Sequence, residues 1–303
     1  MACVGLATGR VAAGAAAGVV ALLAVLALAG RAEAATLTYE ENITGIAANT
    51  SDDVSVPCPQ GTKVVSGGVY LSGSSLEIEV RSSAPYASQG GSPSNPKDGW
   101  SGIGNAGPLS ESLRAYAICV DGARLRYEKD AKMVKPGKRG RTNADCDGGW
   151  KVLGGGVKTS FSNPSTDIVL VQSAQAGVAD GVDDNDGWSG IVANGSAEKV
   201  KTTTWATCGK CVKQRINTVY NGVPVFLNNT QDQLTTVSCD TGFQVTGGGG
   251  VVIGAPAGTE IATLEPRDTD ADNVRDDAWR TWFNNQSGAN QAMSAFAICS
   301  KFR

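Results

Sequence analysis

A cysteine spacing that recurs three times constrains this chain more than any other feature. Cys58 and Cys119 lie 61 residues apart, Cys146 and Cys208 62, and Cys239 and Cys299 60. The residues between them align as well. Glycine comes three positions after each opening cysteine (Gly61, Gly149, Gly242), and valine three further on (Val64, Val152, Val245). A glycine pair follows in each copy: Gly67-Gly68, Gly155-Gly156 and Gly248-Gly249. Trp100, Trp188 and Trp279 each stand two places after an aspartate (Asp98, Asp186, Asp277), with Asn105, Asn194 or Asn284 beyond. The copies close on Tyr116-Ala117-Ile118-Cys119, Trp205-Ala206-Thr207-Cys208 and Phe296-Ala297-Ile298-Cys299. An internal repeat of this kind decides architecture before any local motif does.

Within a copy the pattern is that of strands. Leu76-Glu77-Ile78-Glu79-Val80-Arg81 alternates apolar and polar residues, which turns one face inward and the other to solvent. Ile168–Val171 and Val251–Ile253 are β-branched runs of strand length, and small polar residues and prolines interrupt the chain at 88–96 and 178–186. No dozen residues sustain a helical stripe. The expected fold is all-β: three repeats of about 60–65 residues, each of four or five short antiparallel strands. The copies pack either as one β-prism-like body or as three small β domains. The expected boundaries are repeat 1 over 35–120, a basic linker over 121–144, repeat 2 over 145–211, a second linker over 212–237, and repeat 3 over 238–303. The first linker holds Arg124, Arg126, Lys129, Lys132, Lys135, Lys138, Arg139 and Arg141; it reads as a solvated connector or as a contact for an anionic polymer.

Residues 1–34 read as a signal peptide. Arg10 precedes a small-apolar run from Val11 to Gly30, and Ala32 and Ala34 suit a signal peptidase, leaving Ala35 first in the mature chain. A secreted, extracellular protein with no membrane segment after cleavage is the expectation, and an oxidising environment makes disulfides the default. Pairing within each copy (Cys58–Cys119, Cys146–Cys208, Cys239–Cys299) would close loops worth about 4 kcal/mol each in the chain-entropy model. Cys211 is left unpaired: a free thiol, an alternative partner for Cys146, or an intermolecular link. Asn42, Asn49, Asn194, Asn228 and Asn285 occupy N-x-Ser/Thr positions.

The opening Cys58-Pro59-Gln60-Gly61, the glycine pair Gly67-Gly68 and the closing Tyr116-Ala117-Ile118-Cys119 resemble a Cys-Pro-x-Gly…Gly-Gly-Gly…Tyr-Ala-Ile-Cys repeat of exported bacterial proteins. The resemblance covers most of 54–303, although Asp147 and Asp240 replace the proline in the second and third copies. It implies a secreted β-rich module of unassigned activity, with no catalytic residues to carry over.

The chain contains no histidine, which removes histidine-based triads, histidine-ligated zinc and imidazole bases together. A formal charge of −3 argues against nucleic acid as the main partner. Gly154–Thr159 and Gly102–Gly107 approximate phosphate and dinucleotide loops, but neither opens a helix, so these glycines read as bulges or close strand contacts. The three tryptophans in register read as core, whereas Trp150 and Trp282, outside it, are the candidates for stacking on a ligand such as a sugar ring. Asp268, Asp270, Asp272 and Asp276 are candidate ligands for calcium, or else a solvated acidic turn; Asp180, Asp183, Asp184 and Asp186 are their counterparts in the second copy. The function expected is binding or a surface-structural role, toward a glycan, a cell-envelope polymer or another protein. A carboxylate-based glycan hydrolase and a calcium-dependent adhesion module are the alternatives.

Overall fold

The computed structural model describes residues 35–73, 77–87, 98–160, 167–176, 187–210, 212–219, 225–227, 231–253, 258–270 and 272–302. The leader, Cys211, Asn228 and the Asp180–Asp186 group lie outside them. Every regular element among the described residues is a strand. Repeat 1 supplies β1 (Leu37–Ile46), β2 (Ser51–Pro57), β3 (Lys63–Leu71), β4 (Glu79–Tyr86), β5 (Gly99–Asn105) and β6 (Glu111–Val120). Repeat 2 supplies β7 (Leu125–Val134), β8 (Lys138–Asp145), β9 (Lys151–Ser160), β10 (Ile168–Gln175), β11 (Gly187–Asn194) and β12 (Val200–Gly209). Repeat 3 supplies β13 (Val212–Val219), a short β14 (Val225–Leu227), β15 (Gln231–Ser238), β16 (Gln244–Val252), β17 (Thr259–Arg267), β18 (Ala278–Asn285) and β19 (Gln291–Phe302).

Both segments expected as linkers are therefore strands. Residues 121–144 hold β7 and most of β8, and 212–237 hold β13, β14 and most of β15. They match β1 and β2, so each copy begins one strand pair before its first cysteine and has six strands, with β14 extra in the third. Their polar residues misled because these are sheet-edge strands, on which charge discourages further pairing.

The copies do not fold as separate beads. The first sheet runs β1-β6-β3-β17-β18-β15, the second β2-β5-β4-β9-β12-β7, and the third β13-β19-β16-β10-β11-β8, with β14 also on β19. Each sheet thus takes three strands from one repeat and three from another, and the exchange is cyclic. The joins are the pairs Val69–Leu264, Val157–Ser83 and Gly250–Ser173. The central strands β3, β9 and β16 touch one another, as do β4, β10 and β17, while β1 meets β2, β7 meets β8 and β13 meets β15 at the corners. The result is prism-like, with three sheets around a pseudo-threefold axis.

The three disulfides Cys58–Cys119, Cys146–Cys208 and Cys239–Cys299 form within copies, with Cα–Cα distances of 5.8, 5.7 and 5.6 Å. Each cross-links the two sheets to which its repeat contributes, because the opening cysteine follows the outer strand of one sheet and the closing cysteine sits in the other. Trp100, Trp188 and Trp279 are fully buried beside them. The first glycine of each pair faces that tryptophan: a Cβ on Gly67, Gly155 or Gly248 would fall 2.4, 2.4 or 2.2 Å from the indole Cγ. A Cβ on the second glycine, Gly68, Gly156 or Gly249, would meet the backbone oxygen of Leu264, Ser83 or Ser173 in the neighbouring repeat. One glycine admits the copy's own core, and the other admits the next copy.

Candidate functional site: the axial charged cleft

Along β4, β10 and β17 the pairing with the next strand skips one residue at the same place in every copy. The skipped residues are Arg81, Val171 and Ala262, and two positions earlier stand Glu79, Val169 and Glu260. All three strands begin at one end of the axis, so their first residues converge there. A cavity of about 450 Å³ at that end is lined by Glu79, Asp167, Glu260, Lys138 and Arg139 among others. A second, of about 510 Å³, shares Glu79 and adds Glu77, Arg81 and Ser51. Sequence alternation assigned Glu77, Glu79 and Arg81 to a solvent face. Glu77 is indeed exposed, but Glu79 is half-buried and Arg81, at the bulge, is only 4% exposed.

The guanidinium of Arg81 lies 3.7 Å from the Glu79 carboxylate through Nε, and its Nη1 donates to Ser51 Oγ at 2.7 Å. Asn284 Nδ2 donates to the Ile78 carbonyl at 3.0 Å and to Glu260 Oε1 at 3.3 Å, joining repeats 1 and 3. Burial pushes the Glu79 carboxyl up to about 7; Arg81 opposes the shift and Asp167 adds to it. Burial, and then the charge of Glu79, hold Glu260 well above the usual carboxylate range despite the Asn284 amide. Burial also lowers the Arg81 pKa. Carboxyls on the border between neutral and charged, facing open volume beside a guanidinium, can accept or donate hydrogen bonds and hold a proton near neutral pH.

The residues singled out from sequence fare differently. In the 268–277 loop the carboxylates of Asp268, Asp270 and Asp277 come within 4.8 Å of one another, while Asp272 and Asp276 stand outside the group. Asp277 closes the loop by accepting from the amides of Thr269 (3.0 Å) and Asp270 (3.1 Å), and Asp268 accepts from Asn273 (2.9 Å). Asp272 instead caps the Val274 amide, and Asp276 accepts from Gln244 Nε2. The loop's own backbone thus occupies much of the carboxylate capacity.

Trp150 is buried rather than exposed, packed in the cluster of Cys146, Cys208 and Trp188, with Arg126 4.5 Å and Lys210 5.6 Å from its ring centroid. Trp282 is half-buried against the main core. Trp150 does not present the open face that stacking on a sugar would need. Asn194 and Asn285 are also buried: each Oδ1 accepts from the amide and hydroxyl of the serine two residues on, fixing a turn. Their N-x-Ser pattern marks that turn rather than a glycan attachment site.

A further charged network on the first sheet joins Glu265 to Arg280 by cross-strand register and Arg275 to Glu41 at 3.3 Å, with Arg280 over Tyr70 and Arg275 over Tyr116. Its groups pair with one another across strands and read as packing. Among the described residues no helix is long and apolar enough to cross a membrane. The disulfides fit an oxidising environment. No protein-family model matches the chain, and no curated protein matches it either.

Proposed function

We propose that this is a secreted binding protein that takes a polyhydroxylated glycan of a cell surface or envelope polymer in the axial cleft. One observation carries the reading. Repeat 1 places a half-buried Glu79 and a buried Arg81 where repeat 2 has Val169 and Val171, so the fold itself is satisfied by apolar residues there. Buried charge costs several kcal/mol unless well paired, and its retention at an open cavity of ligand size is explained by a ligand. The leader, the disulfides and the resemblance to exported repeats support the compartment. Carboxylates accept from sugar hydroxyls, and the guanidinium of Arg81 donates to them.

A glycan array probed with the full chain tests this, followed by titration of any hit against Glu260→Gln. The expected result is a defined set of glycans whose affinity falls by about tenfold in the variant, the loss of one hydrogen bond in a buried site. An array silent with and without calcium contradicts it. Binding that is lost in chelator and insensitive to Glu260→Gln transfers the role to Asp268, Asp270 and Asp277.

A glycan hydrolase is the second reading, favoured by the two carboxyls with raised pKa. Glu79 at about 7 suits a general acid at neutral pH. Release of new reducing ends, abolished by Glu79→Gln, would establish it over simple binding.

A further inference from the structure

We infer that the face of the second sheet formed by β7, β12 and β9 is a docking surface for an anionic polysaccharide. Trp205 pairs with Lys129 and Gly156, Thr203 with Ala131 and Lys158, and Lys201 with Met133 and Ser160. Alternate residues of a strand share a face, so Lys129, Lys158 and Lys201 stand together, with the exposed Met133 of β7 on the same face. All three lysines are exposed. No carboxylate shares that face on these strands; Glu128 and Asp130 of β7 alternate to the other side.

Protection of a sheet edge accounts for lysine on β7, the outermost strand, but not for Lys158 or Lys201, which lie on inner strands. Nor does the scaffold ask for them. The matching positions are Glu41, Tyr70 and Ser112 in repeat 1, and Thr218, Val251 and Ala292 in repeat 3. From strand spacing and rise, the Cα atoms of Lys158 and Lys201 lie roughly 8 Å apart, and those of Lys129 and Lys201 roughly 14 Å. That spread suits successive charges along an extended polymer better than one small anion. Lysines are mobile point charges that follow a polymer of varied geometry, whereas a fixed phosphate site favours the planar fork of arginine. The disulfides put the chain in an oxidising compartment, which favours acidic carbohydrate over nucleic acid as the polyanion.

The test measures binding of the full chain to polygalacturonate at about 50 and about 200 mM salt, with a DNA duplex as competitor. Binding is expected at low salt, weakening by roughly tenfold or more at the higher salt. Lys158→Gln/Lys201→Gln should keep the melting temperature and lose at least roughly tenfold in affinity. Lys132→Gln, on the same strand but alternating to the other side, should bind as the unmodified chain does. Failure to bind at low salt, equal binding by the Lys158/Lys201 variant, or displacement by DNA at equal charge would each overturn the inference.

Discussion

Trp188 shows how little room the residues of this core leave. Its indole packs on Gly155, and its Nε1 donates to Ser173 Oγ at 3.0 Å, as Trp100 Nε1 does to Ser83 at 2.9 Å. In the third copy leucine (Leu264) takes the serine's place, and among the described residues the buried Trp279 Nε1 has no hydrogen-bond partner. Gly155→Ala should therefore destabilise the fold by about 3 kcal/mol, since both the indole and a backbone oxygen stand in the way. Ser173→Ala should cost about 1–3 kcal/mol by orphaning a buried donor. Urea midpoints of the two variants check both; a neutral Gly155→Ala would mean that the tryptophan sits elsewhere. The copies also trade volume. Gly102 faces Val69 and Gly190 faces Val157, while in repeat 3 the glycine is Gly250, facing Thr281 and Phe283. The same space is filled from opposite strands, which is why a match of residue types alone overlooks the equivalence.

At the scale of elements, the disulfides and the outer strands make separate predictions. Replacing Cys239 and Cys299 by alanine should cost about 2–5 kcal/mol, because the bridge ties β19 in the third sheet to the end of β15 in the first. Trypsin should cut slowly at Arg126, Lys129 and Lys132, since their backbones pair with β12; rapid cleavage there would restore the linker reading. The inner strands were legible because cysteine, glycine and tryptophan are held in register by the contacts just described. The outer ones were not. LTYEENITGI and LRYEKDAKMV share Leu-x-Tyr-Glu, whose Tyr39 and Tyr127 donate to the carbonyls of Val245 and Val64, but VKQRINTV lacks it, and the rest of an outermost strand tolerates almost any polar residue. The acidic loop was partly legible: alternate spacing marked Asp268 and Asp270, but the return of the chain, not its spacing, brings Asp277 to them.

For the whole molecule, the axis is both the junction of the repeats and the place of the buried carboxyls. No local pattern announces that Glu79 and Glu260 converge, because they belong to different copies and meet only through the cyclic exchange of strands. The one visible sign is a carboxylate in the first and third copies where the second has Val169. Their titration gives a signed prediction. A carboxyl whose folded pKa is raised binds its proton more tightly in the folded chain, so stability is greatest below the unfolded value and falls as pH rises through the folded one. For Glu79 that decline runs from about 4.5 to about 7 and amounts to at most about 3 kcal/mol, with Glu260 extending it upward. Melting temperatures at pH 5 and pH 8 should differ in that sense, and Glu260→Gln should narrow the difference by stabilising the chain at the higher pH.

The cyclic sharing of sheets is tested most directly by calorimetry of the full mature chain beside an excised first repeat, residues 35–122. Shared sheets predict one cooperative transition for the full chain, and an excised repeat that stays unfolded because it has lost the partners of β3 and β4. Three separable transitions, or an isolated repeat that melts as it does in the whole, would contradict it.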